Sequence, residues 1–283
     1  MSNKKLNILF IGNSYVASYL KKDVNKNFNI YILSRKKFFL RKKIKNIDVL
    51  IHSVGMNLYM SLKNRRKAIL IKKKTTERII KFSKLNHITK IIYLSSALVY
   101  SKNLFGRINE KTRLENRHPY AQAHLAAENM LIKNNNKHIK IIIIRLSNLF
   151  GINNKKKKSQ FIYSINNFIK QAKSEKKIIV KNNHIIRDFI PMNYFIKMLT
   201  KLIAINNKIQ IINLGYRSYR LIDMAKLVAM RCKKLFNYSP AIIISNNFKN
   251  NQKFLSYESL FLKQNTKSDL IIKEIDSSLK FLK

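Results

Sequence analysis

The sequence predicts an α/β fold with a Rossmann-type, doubly wound parallel sheet. Three observations favour it. Short apolar runs alternate with longer helical patterns, as in a parallel sheet covered by helices. The predicted strands are nearly all apolar, as expected when both faces are covered. Glycine occurs only five times, and four of the five follow predicted strand ends, where the backbone turns. With 283 residues, 46% of them hydrophobic, the chain can bury a substantial core.

The predicted elements divide the chain into a larger domain over residues 1–151 and a smaller lobe over 152–283 that interleaves with it. In the first domain we expect strands over 6–11, 28–33, 48–53, 91–95 and 140–145, and helices over 13–24, 64–86 and 118–134. In the second lobe we expect strands over 177–181, 187–191, 209–214 and 241–245, and helices over 159–174, 192–205 and 221–235.

The net charge of +45 raises the question of nucleic-acid binding. However, lysines are spread along the whole chain together with many Asn and Ile, the combination that A/T-rich codons produce without selection for binding. We therefore expect no nucleic-acid partner, and we interpret the basic runs 35–37, 72–74 and 155–158 as solvated faces or loops. No apolar run approaches membrane-spanning length, so no membrane association is expected. The single cysteine, Cys232, excludes an intrachain disulfide and favours a reducing, cytoplasmic compartment.

The turn after the first strand resembles a dinucleotide-binding fingerprint. Gly12, Ser14 and Ala17 occupy the three small-residue positions of G-x-G-x-x-G/A, followed by a predicted helix. In such turns the first glycine makes the bend and the second position lets the backbone approach a pyrophosphate. We therefore predict that Gly12, Ser14, Tyr15 and Val16 contact a dinucleotide, although any strand-turn-helix corner can carry one glycine.

The end of the second strand indicates which dinucleotide is bound. An NAD site usually places Asp or Glu here, to accept hydrogen bonds from the ribose 2′-hydroxyl. This chain has Ser34-Arg35-Lys36 instead, and a cation suits a 2′-phosphate. The pattern favours NADP over NAD, while the alternative that Arg35 is an ordinary surface charge stays open.

Several further motifs occur in the order found in one enzyme family. Ile91-Ile-Tyr-Leu-Ser-Ser-Ala-Leu-Val-Tyr100 precedes Pro119-Tyr-Ala-Gln-Ala-His-Leu-Ala-Ala-Glu128, followed by Arg145-Leu-Ser-Asn-Leu-Phe-Gly151 and Arg187-Asp-Phe. Together with Asp48-Val-Leu-Ile-His-Ser-Val-Gly55, they resemble the NAD-dependent epimerase/dehydratase family, a branch of the extended short-chain dehydrogenases/reductases.

The resemblance implies an NAD(P)-dependent epimerase, keto-reductase or dehydratase that acts on a nucleotide-activated sugar. Ser96 would hydrogen-bond the reacting sugar oxygen, and Tyr120 would act as general acid/base. His124 occupies the position of the family's lysine, so it and Tyr120 would also contact the cofactor. The resemblance further implies cofactor contacts at His52 and Ser53, substrate contacts at Asn148 and Arg187, and a homodimer formed through the Tyr120 helix and its neighbour.

His124 is the main departure from the family pattern. An unperturbed phenol titrates near pH ~10, so its use as a base near neutral pH requires about 4 kcal/mol of stabilisation, much of which a permanent cation can supply. An unperturbed imidazole is mostly neutral at that pH. The segment between Arg35 and Asp48 is also short, and lysines occupy 72–74, where the family usually has an asparagine. These departures leave open a second function, that of a catalytically weakened or inactive NAD(P)-binding sensor or partner-binding protein.

Overall fold

The computed structural model describes residues 5–12, 15–23, 28–101, 104–136, 138–153, 164–205, 211–246, 253–263 and 269–282. The chain divides into two compact units. The first unit comprises residues 1–103, 112–146 and 199–213, and the second comprises 104–111, 147–198 and 214–283. The assignment of a cofactor-binding domain to 1–151 and a substrate-binding lobe to 152–283 stays a prediction, because it concerns bound ligands.

The first unit is built on a six-stranded sheet, which confirms the predicted fold class. Its strands are β1 (Leu6–Ile11), β2 (Phe28–Leu33), β3 (Val49–His52), β4 (Lys90–Ser96), β6 (Lys140–Leu146) and β10 (Ile211–Leu214). The strand order is β10-β6-β4-β3-β1-β2, and the pairings β1–β2, β1–β3, β3–β4 and β4–β6 are parallel.

Five helices accompany this sheet along the chain. They are α1 (Tyr15–Asp23), α2 (Arg35–Phe39), α3 (Leu58–Lys63), α4 (Arg65–Leu85) and α5 (Pro119–Ile132). Leu9, Leu50, Ile91 and Ile143 of the central strands form one hydrophobic core with Ile79 of α4. All five side chains are fully buried, which is the covered-sheet arrangement that the apolar strands predicted.

The second unit contains smaller sheets. One sheet contains β7 (Asn148–Phe150), β9 (Ile186–Pro191) and β11 (Arg217–Arg220). In this sheet β7 and β9 are parallel, and β9 and β11 are antiparallel. β12 (Ala241–Asn246) pairs with β8 (Lys177–Lys181), and β13 (Leu255–Tyr257) pairs with β5 (Gly106–Ile108). The helices are α6 (Ser164–Ser174), α8 (Leu221–Phe236) and α9 (Asp269–Phe281), while α7 (Met192–Ala204) runs from the second unit into the first.

The connection between β2 and β3 is short, as the small number of residues between Arg35 and Asp48 predicted. Within residues 34–48, the structure contains one five-residue helix, α2, and no strand. β2 is therefore the last strand of the sheet on this side among the described residues. In the part of the chain that the structure describes, no helix is long and apolar enough to cross a bilayer.

Candidate active site

The N-terminal end of α5 is tied to the turn that follows β4. The Asn116 side-chain amide donates to the Leu98 carbonyl at 2.5 Å, and its carbonyl oxygen accepts from the His118 backbone N–H at 2.9 Å. His118 caps the helix, since its Nδ1 accepts from the Tyr120 backbone N–H at 3.1 Å. These bonds hold the first turn of α5 against the carboxyl end of β4, the sheet edge at which open α/β folds bind ligands.

Ser96 and Tyr120 stand at this junction. Ser96 is the last residue of β4, and its Oγ accepts from the Leu98 backbone N–H at 3.2 Å, so its hydroxyl proton can still be donated. Tyr120 is half-buried on the first turn of α5, and its ring centroid lies 4.6 Å from that of His124. The two hydroxyl side chains predicted to be catalytic are thus carried by elements that the Asn116 bonds connect.

His124 is buried and bonded inside the protein. Its Nδ1 lies 2.7 Å from the Tyr93 hydroxyl and 3.4 Å from Ser95 Oγ. Burial, followed by the positive charge of Lys72, lowers the pKa of His124 well below its usual value. The imidazole is therefore neutral, and it does not supply the permanent cation of the family's lysine.

A second network lies beside it, around a buried ion pair. Glu128 accepts from Arg145 Nη2 at 2.7 Å and from Arg145 Nε at 3.3 Å, and the Ser95 hydroxyl also donates to it. Arg145 Nη1 donates to the Tyr100 hydroxyl at 2.9 Å, which donates to Asn213 at 2.7 Å. Burial opposes the charge on Arg145, but the hydrogen bonds and negative charge of Glu128 outweigh it and raise the pKa of the guanidinium. Both ions are thus satisfied in the interior.

Lys72 is a buried cation of a different kind. It belongs to α4, and its Nζ donates to the Val54 carbonyl at 2.6 Å and lies 5.3 Å from the centroid of the Tyr93 ring. Among the described residues no carboxylate pairs with it. Burial lowers the pKa of Lys72 to about 7. The interpretation of residues 72–74 as a solvated run is therefore wrong for Lys72, which shares the buried stripe of α4, while Lys73 and Lys74 are exposed.

His52 is the last residue of β3 and lies beside Tyr93 of β4. Its Nδ1 accepts from the Val54 backbone N–H at 3.2 Å, so Nε2 carries the proton and donates to Thr76 Oγ1 at 3.2 Å. Burial and then the charge of Lys72 lower the pKa of His52 well below its usual value. The ring also lies 4.9 Å from the Tyr93 ring, its partner in the β3–β4 register. The imidazole of His52 is thus used inside the protein, and its predicted contact with a cofactor stays a prediction.

Gly12, which follows β1, has a backbone conformation and close contacts that favour glycine. Gly12 has φ +143°, and a Cβ there would lie 3.2 Å from the backbone carbonyl group of Ser53. Its N–H donates to the Leu33 carbonyl at 2.9 Å, and the Ser53 N–H donates to Ile11 at 2.9 Å, so three strand ends meet at this glycine. The bare backbone and the following helix α1 fit a pyrophosphate at a helix N-terminus. Tyr15 and Val16 begin α1, whereas Ser14 lies outside the described residues.

Arg35 begins α2, immediately after the end of β2. Its Nε donates to Thr75 Oγ1 at 3.2 Å, and its guanidinium lies 4.8 Å from the centroid of the Phe39 ring. No acidic side chain occurs in residues 34–39. The position therefore offers a fixed cation and no carboxylate acceptor for a ribose 2′-hydroxyl.

The two predicted substrate residues lie on neighbouring strands of the second unit. The Asn148 side-chain amide, on β7, donates to the Asp188 carbonyl at 2.8 Å, and Arg187 is on β9. Burial lowers the pKa of Arg187. Asp188 accepts from the Ser147 hydroxyl and from the Tyr216 backbone N–H at 3.0 Å, so it does not pair with Arg187. Burial raises the pKa of Asp188 to about 7, against the opposing effect of those hydrogen bonds.

Asp188 also lines a pocket of about 460 Å³ in this unit. Arg217 and Lys263 contribute positive charge to its lining, and Tyr216 and Tyr257 contribute aromatic side chains. Within the described residues, no cluster of His, Cys, Asp and Glu could hold a metal ion. The lining also contains Glu258, so this pocket offers hydrogen bonds, aromatic faces and side chains of both charges.

Comparison with known proteins identifies the family. A sequence model of the NAD dependent epimerase/dehydratase family matches residues 3–215. This match covers most of the chain, so the protein belongs to the NAD-dependent epimerase/dehydratase family, as its motifs predicted. A search of curated proteins found no match.

Solved structures of low sequence identity share the fold. The UDP-N-acetylglucosamine 4-epimerase of Methanobrevibacter ruminantium matches with a TM-score of 0.83 and 14% identity, covering 99% of this chain and 98% of that one. RMD from Pseudomonas aeruginosa, solved with NADPH, has a TM-score of 0.75 and 15% identity, covering 97% and 98%. The UDP-glucose 4-epimerase of Thermotoga maritima has a TM-score of 0.75 and 14% identity, covering 98% of each chain.

The roles of the individual site residues remain predictions. The sequence did not predict the buried contacts of three residues, Lys72, Tyr93 and Glu128. Lys72 could have been recognised from its helical spacing, because Ala68, Thr76 and Ile79 lie four residues before, four after and seven after it on the same face.

Proposed function

We propose that the protein is an NAD(P)-dependent enzyme that epimerises, reduces or dehydrates a nucleotide-activated sugar. The observation that carries this proposal is the junction of β4 and α5, where Asn116 connects the turn after Ser96 to the helix turn that bears Tyr120. A hydroxyl donor and a phenol at the carboxyl edge of a parallel sheet suit proton transfer at a sugar hydroxyl or carbonyl. Membership of the family supports the same chemistry.

Tyr120 acts as the general acid/base in this proposal. It takes the proton of a sugar hydroxyl as that carbon is oxidised, or returns it when a carbonyl is reduced. Ser96 donates its remaining proton to the same oxygen and so fixes the reacting carbon relative to Tyr120. His124 lies against the Tyr120 ring and orients it.

The cofactor site comprises Gly12, Val16, Ser53 and Arg35. The bare backbone at Gly12 and the start of α1, including Tyr15, would hold the pyrophosphate, and Arg35 would favour the 2′-phosphate of NADP over NAD. When bound, the nicotinamide supplies the hydride acceptor or donor. RMD, one of the structural neighbours, was solved with NADPH.

The substrate proposal rests on the second unit. Arg187 offers a planar guanidinium for a diphosphate, and Asn148, on the adjacent strand, offers an amide for the sugar or nucleotide. Two structural neighbours, the epimerases of Methanobrevibacter ruminantium and Thermotoga maritima, are named for UDP-sugars and were solved with UDP-linked ligands. We propose the same class of substrate here, namely a nucleoside diphosphate sugar.

The decisive experiment combines cofactor titration and turnover. Calorimetric titration with NADPH and NADH, followed by a panel of nucleotide sugars, should show saturable binding that is tighter for NADPH, and product formation. Tyr120→Phe should reduce turnover at least about 100-fold and leave NADPH affinity and thermal unfolding unchanged, because it removes only the titrating hydroxyl. Turnover retained in Tyr120→Phe would refute the assignment of this residue.

The neutral state of His124 favours a second candidate function, an NAD(P)-binding sensor without turnover. In this case NADPH binds saturably, but no nucleotide sugar is converted, and Tyr120→Phe changes nothing measurable. Absence of NADPH and NADH binding would reject both functions.

The last part of the proposed function concerns the oligomeric state of the protein. We propose a homodimer formed through α5 and its neighbour α4, as the resemblance to the family implies. The neighbouring helix α3 exposes apolar side chains of this first unit, Leu58 at 46%, Tyr59 at 61% and Leu62 at 62%. Light scattering of the purified protein at physiological salt tests this, since a monomeric mass would reject it.

A further inference from the structure

The ammonium of Lys72 occupies a space prepared for it at the carboxyl end of β3. A Cβ at Gly55 would lie 2.6 Å from Lys72 Nζ and 3.0 Å from Cε, so the absence of a side chain at Gly55 makes room for the lysine. Nζ donates to the Val54 carbonyl at 2.6 Å. An ammonium has three N–H donors. One carbonyl and one aromatic face compensate only part of the free energy lost when this charge is removed from water.

Lys72 and His124 both contact Tyr93. Lys72 Nζ lies 5.3 Å from the ring centroid, and the Tyr93 hydroxyl lies 2.7 Å from His124 Nδ1. His124 in turn packs against Tyr120, with ring centroids 4.6 Å apart. A row of side chains from α4, β4 and α5 therefore connects the buried cation to the phenol proposed to move a proton.

The hydrogen-bond partners of His124 along this row are neutral hydroxyl groups. Burial raises the pKa of Tyr93 well above its usual value, with the charge of Glu128 as the next cause, so Tyr93 keeps its proton. Ser95 donates its own proton to Glu128. Tyr93 therefore shares a hydrogen bond with His124 Nδ1 as a neutral phenol, and the imidazole is held between neutral hydroxyl groups.

The other charged groups around the row are accounted for. From β3, His52 is neutral and bonded to Thr76. From α5, Glu128 is compensated by Arg145 of β6. Among the described groups packed on this row, Lys72 is the cation without a carboxylate partner.

We propose that Lys72 is a positioning residue that has taken over the electrostatic role of the lysine missing from position 124. Its ammonium adds to burial in keeping His124 neutral, and it favours the phenolate of Tyr120 through the Tyr93–His124 pair. The cation has thus moved from α5 to α4, and Gly55 accommodates it. The kinetic part of this proposal rests on the proposed function, whereas its spectroscopic part does not.

The first test is a histidine titration by NMR on the ¹⁵N-histidine-labelled full chain. His52→Gln and His124→Gln assign the two signals. We expect His124 to titrate well below the usual range of histidine in the wild type and in the control Lys73→Met, which changes the exposed neighbouring lysine. In Lys72→Met, the titration of His124 should move upward by at least about half a pH unit, because the positive charge that lowers its pKa after burial is removed. An unchanged titration would overturn the proposal.

Lys72→Gln guards against a variant that fails to fold. Its amide removes the charge and retains an N–H donor near the Val54 carbonyl, and it should give the same upward shift. A shift in neither variant, with folding confirmed by thermal unfolding, rejects the coupling between Lys72 and His124.

The second test moves the lysine back to α5. We expect Lys72→Gln to reduce kcat at least about 10-fold and to displace the pH profile, with NADPH affinity unchanged. Lys72→Gln/His124→Lys should recover most of the lost kcat. His124→Lys alone should be less active than the wild type, because it places two ammonium groups in one buried cluster.

The outcomes separate this proposal from the proposed function. A wild type that turns over together with a Lys72→Gln variant of unchanged kcat overturns the positioning role. A wild type without cofactor binding or turnover rejects the proposed function, and the histidine titration then decides by itself whether Lys72 holds His124 neutral.

Discussion

Arg145 and Lys72 are two equally buried cations of the first unit with opposite surroundings. Each side chain is about 3% exposed. Arg145 meets the Glu128 carboxylate and the Tyr100 hydroxyl, whereas Lys72 meets one backbone carbonyl and the face of Tyr93. The pKa of Arg145 is raised, and the pKa of Lys72 is lowered to about 7.

The comparison teaches that burial alone does not determine what a charge does. The guanidinium is compensated, so it stays charged at every physiological pH and fixes β6 to α5. The ammonium is uncompensated, so its charge is poised near neutral pH, where a small change in its surroundings changes its protonation. Perturbed groups of the second kind are typical of functional sites.

Breaking the compensated pair should have the largest effect. Glu128→Gln leaves the Arg145 guanidinium buried without a counter-charge, and we expect a loss of about 3–5 kcal/mol in the free energy of unfolding. Denaturant unfolding measures it. The control, Glu77→Gln, removes an exposed partner of Lys81 and should leave the midpoint unchanged. A Glu128→Gln variant as stable as the control would show that the pair is not an essential contact.

Removing the uncompensated cation should change the pH dependence of stability. The folded pKa of Lys72, about 7, lies below the value of 10.5 for a free lysine, so the unfolded chain binds more protons between these pH values. Wild-type stability should therefore rise between pH 7 and about 10, by up to about 1.4 kcal/mol per pH unit from this group.

Lys72→Met should lack this contribution and should be more stable than the wild type at pH 7. The measurement is denaturant unfolding across the pH range for Lys72→Met, wild type and Lys73→Met. Parallel curves for all three proteins would show that Lys72 titrates normally.

Filling the space at Gly55 should have a smaller effect. In Gly55→Ala the new methyl group would meet Lys72 Nζ at 2.6 Å, and we expect a loss of about 1–3 kcal/mol in the free energy of unfolding. In a Lys72→Ala background the same change should cost at least about 1 kcal/mol less. A double-mutant cycle by denaturant unfolding measures the difference, and additive effects would show that the two positions do not constrain each other.

The smallest expected effect lies at Thr76. Thr76→Val removes the acceptor of the His52 Nε2–H and should cost about 1 kcal/mol in unfolding free energy. The pKa of His52, followed by NMR, should stay low, because burial and Lys72 rather than Thr76 lower it. A histidine signal that titrates near pH 6.5 in this variant would contradict this explanation.

The central sheet was predictable from sequence because its strands are defined locally. The strands predicted over 6–11 and 28–33 match β1 and β2, since a continuous apolar run bounded by polar residues is sufficient to identify a covered strand. β5 and β13 were not predicted. Each has three residues, and each depends on the other, more than 140 residues away in sequence, so neither has a strong local pattern.

The positions of the candidate site residues on the fold were predictable where a motif carries them and not where packing does, and their roles stay predictions. Ser96, Tyr120 and Gly12 were located from their spacing, and the structure places each at the carboxyl edge of the sheet. The neutral state of His124 and the burial of Lys72 depend on packing against residues elsewhere in the chain, such as Val54 and Tyr93. Spacing within one segment does not specify a pKa that the neighbouring elements determine.

The short connection after β2 has a consequence for how copies of this chain meet in solution. Among the described residues it leaves β2 as the terminal strand, and a strand edge without a neighbour is a template on which another chain can add a strand and aggregate. Residues 35–45 follow this strand and contain seven Lys and Arg residues and no acidic residue. Two copies that approach edge to edge repel each other through these segments, so part of the large positive charge protects the sheet against self-association.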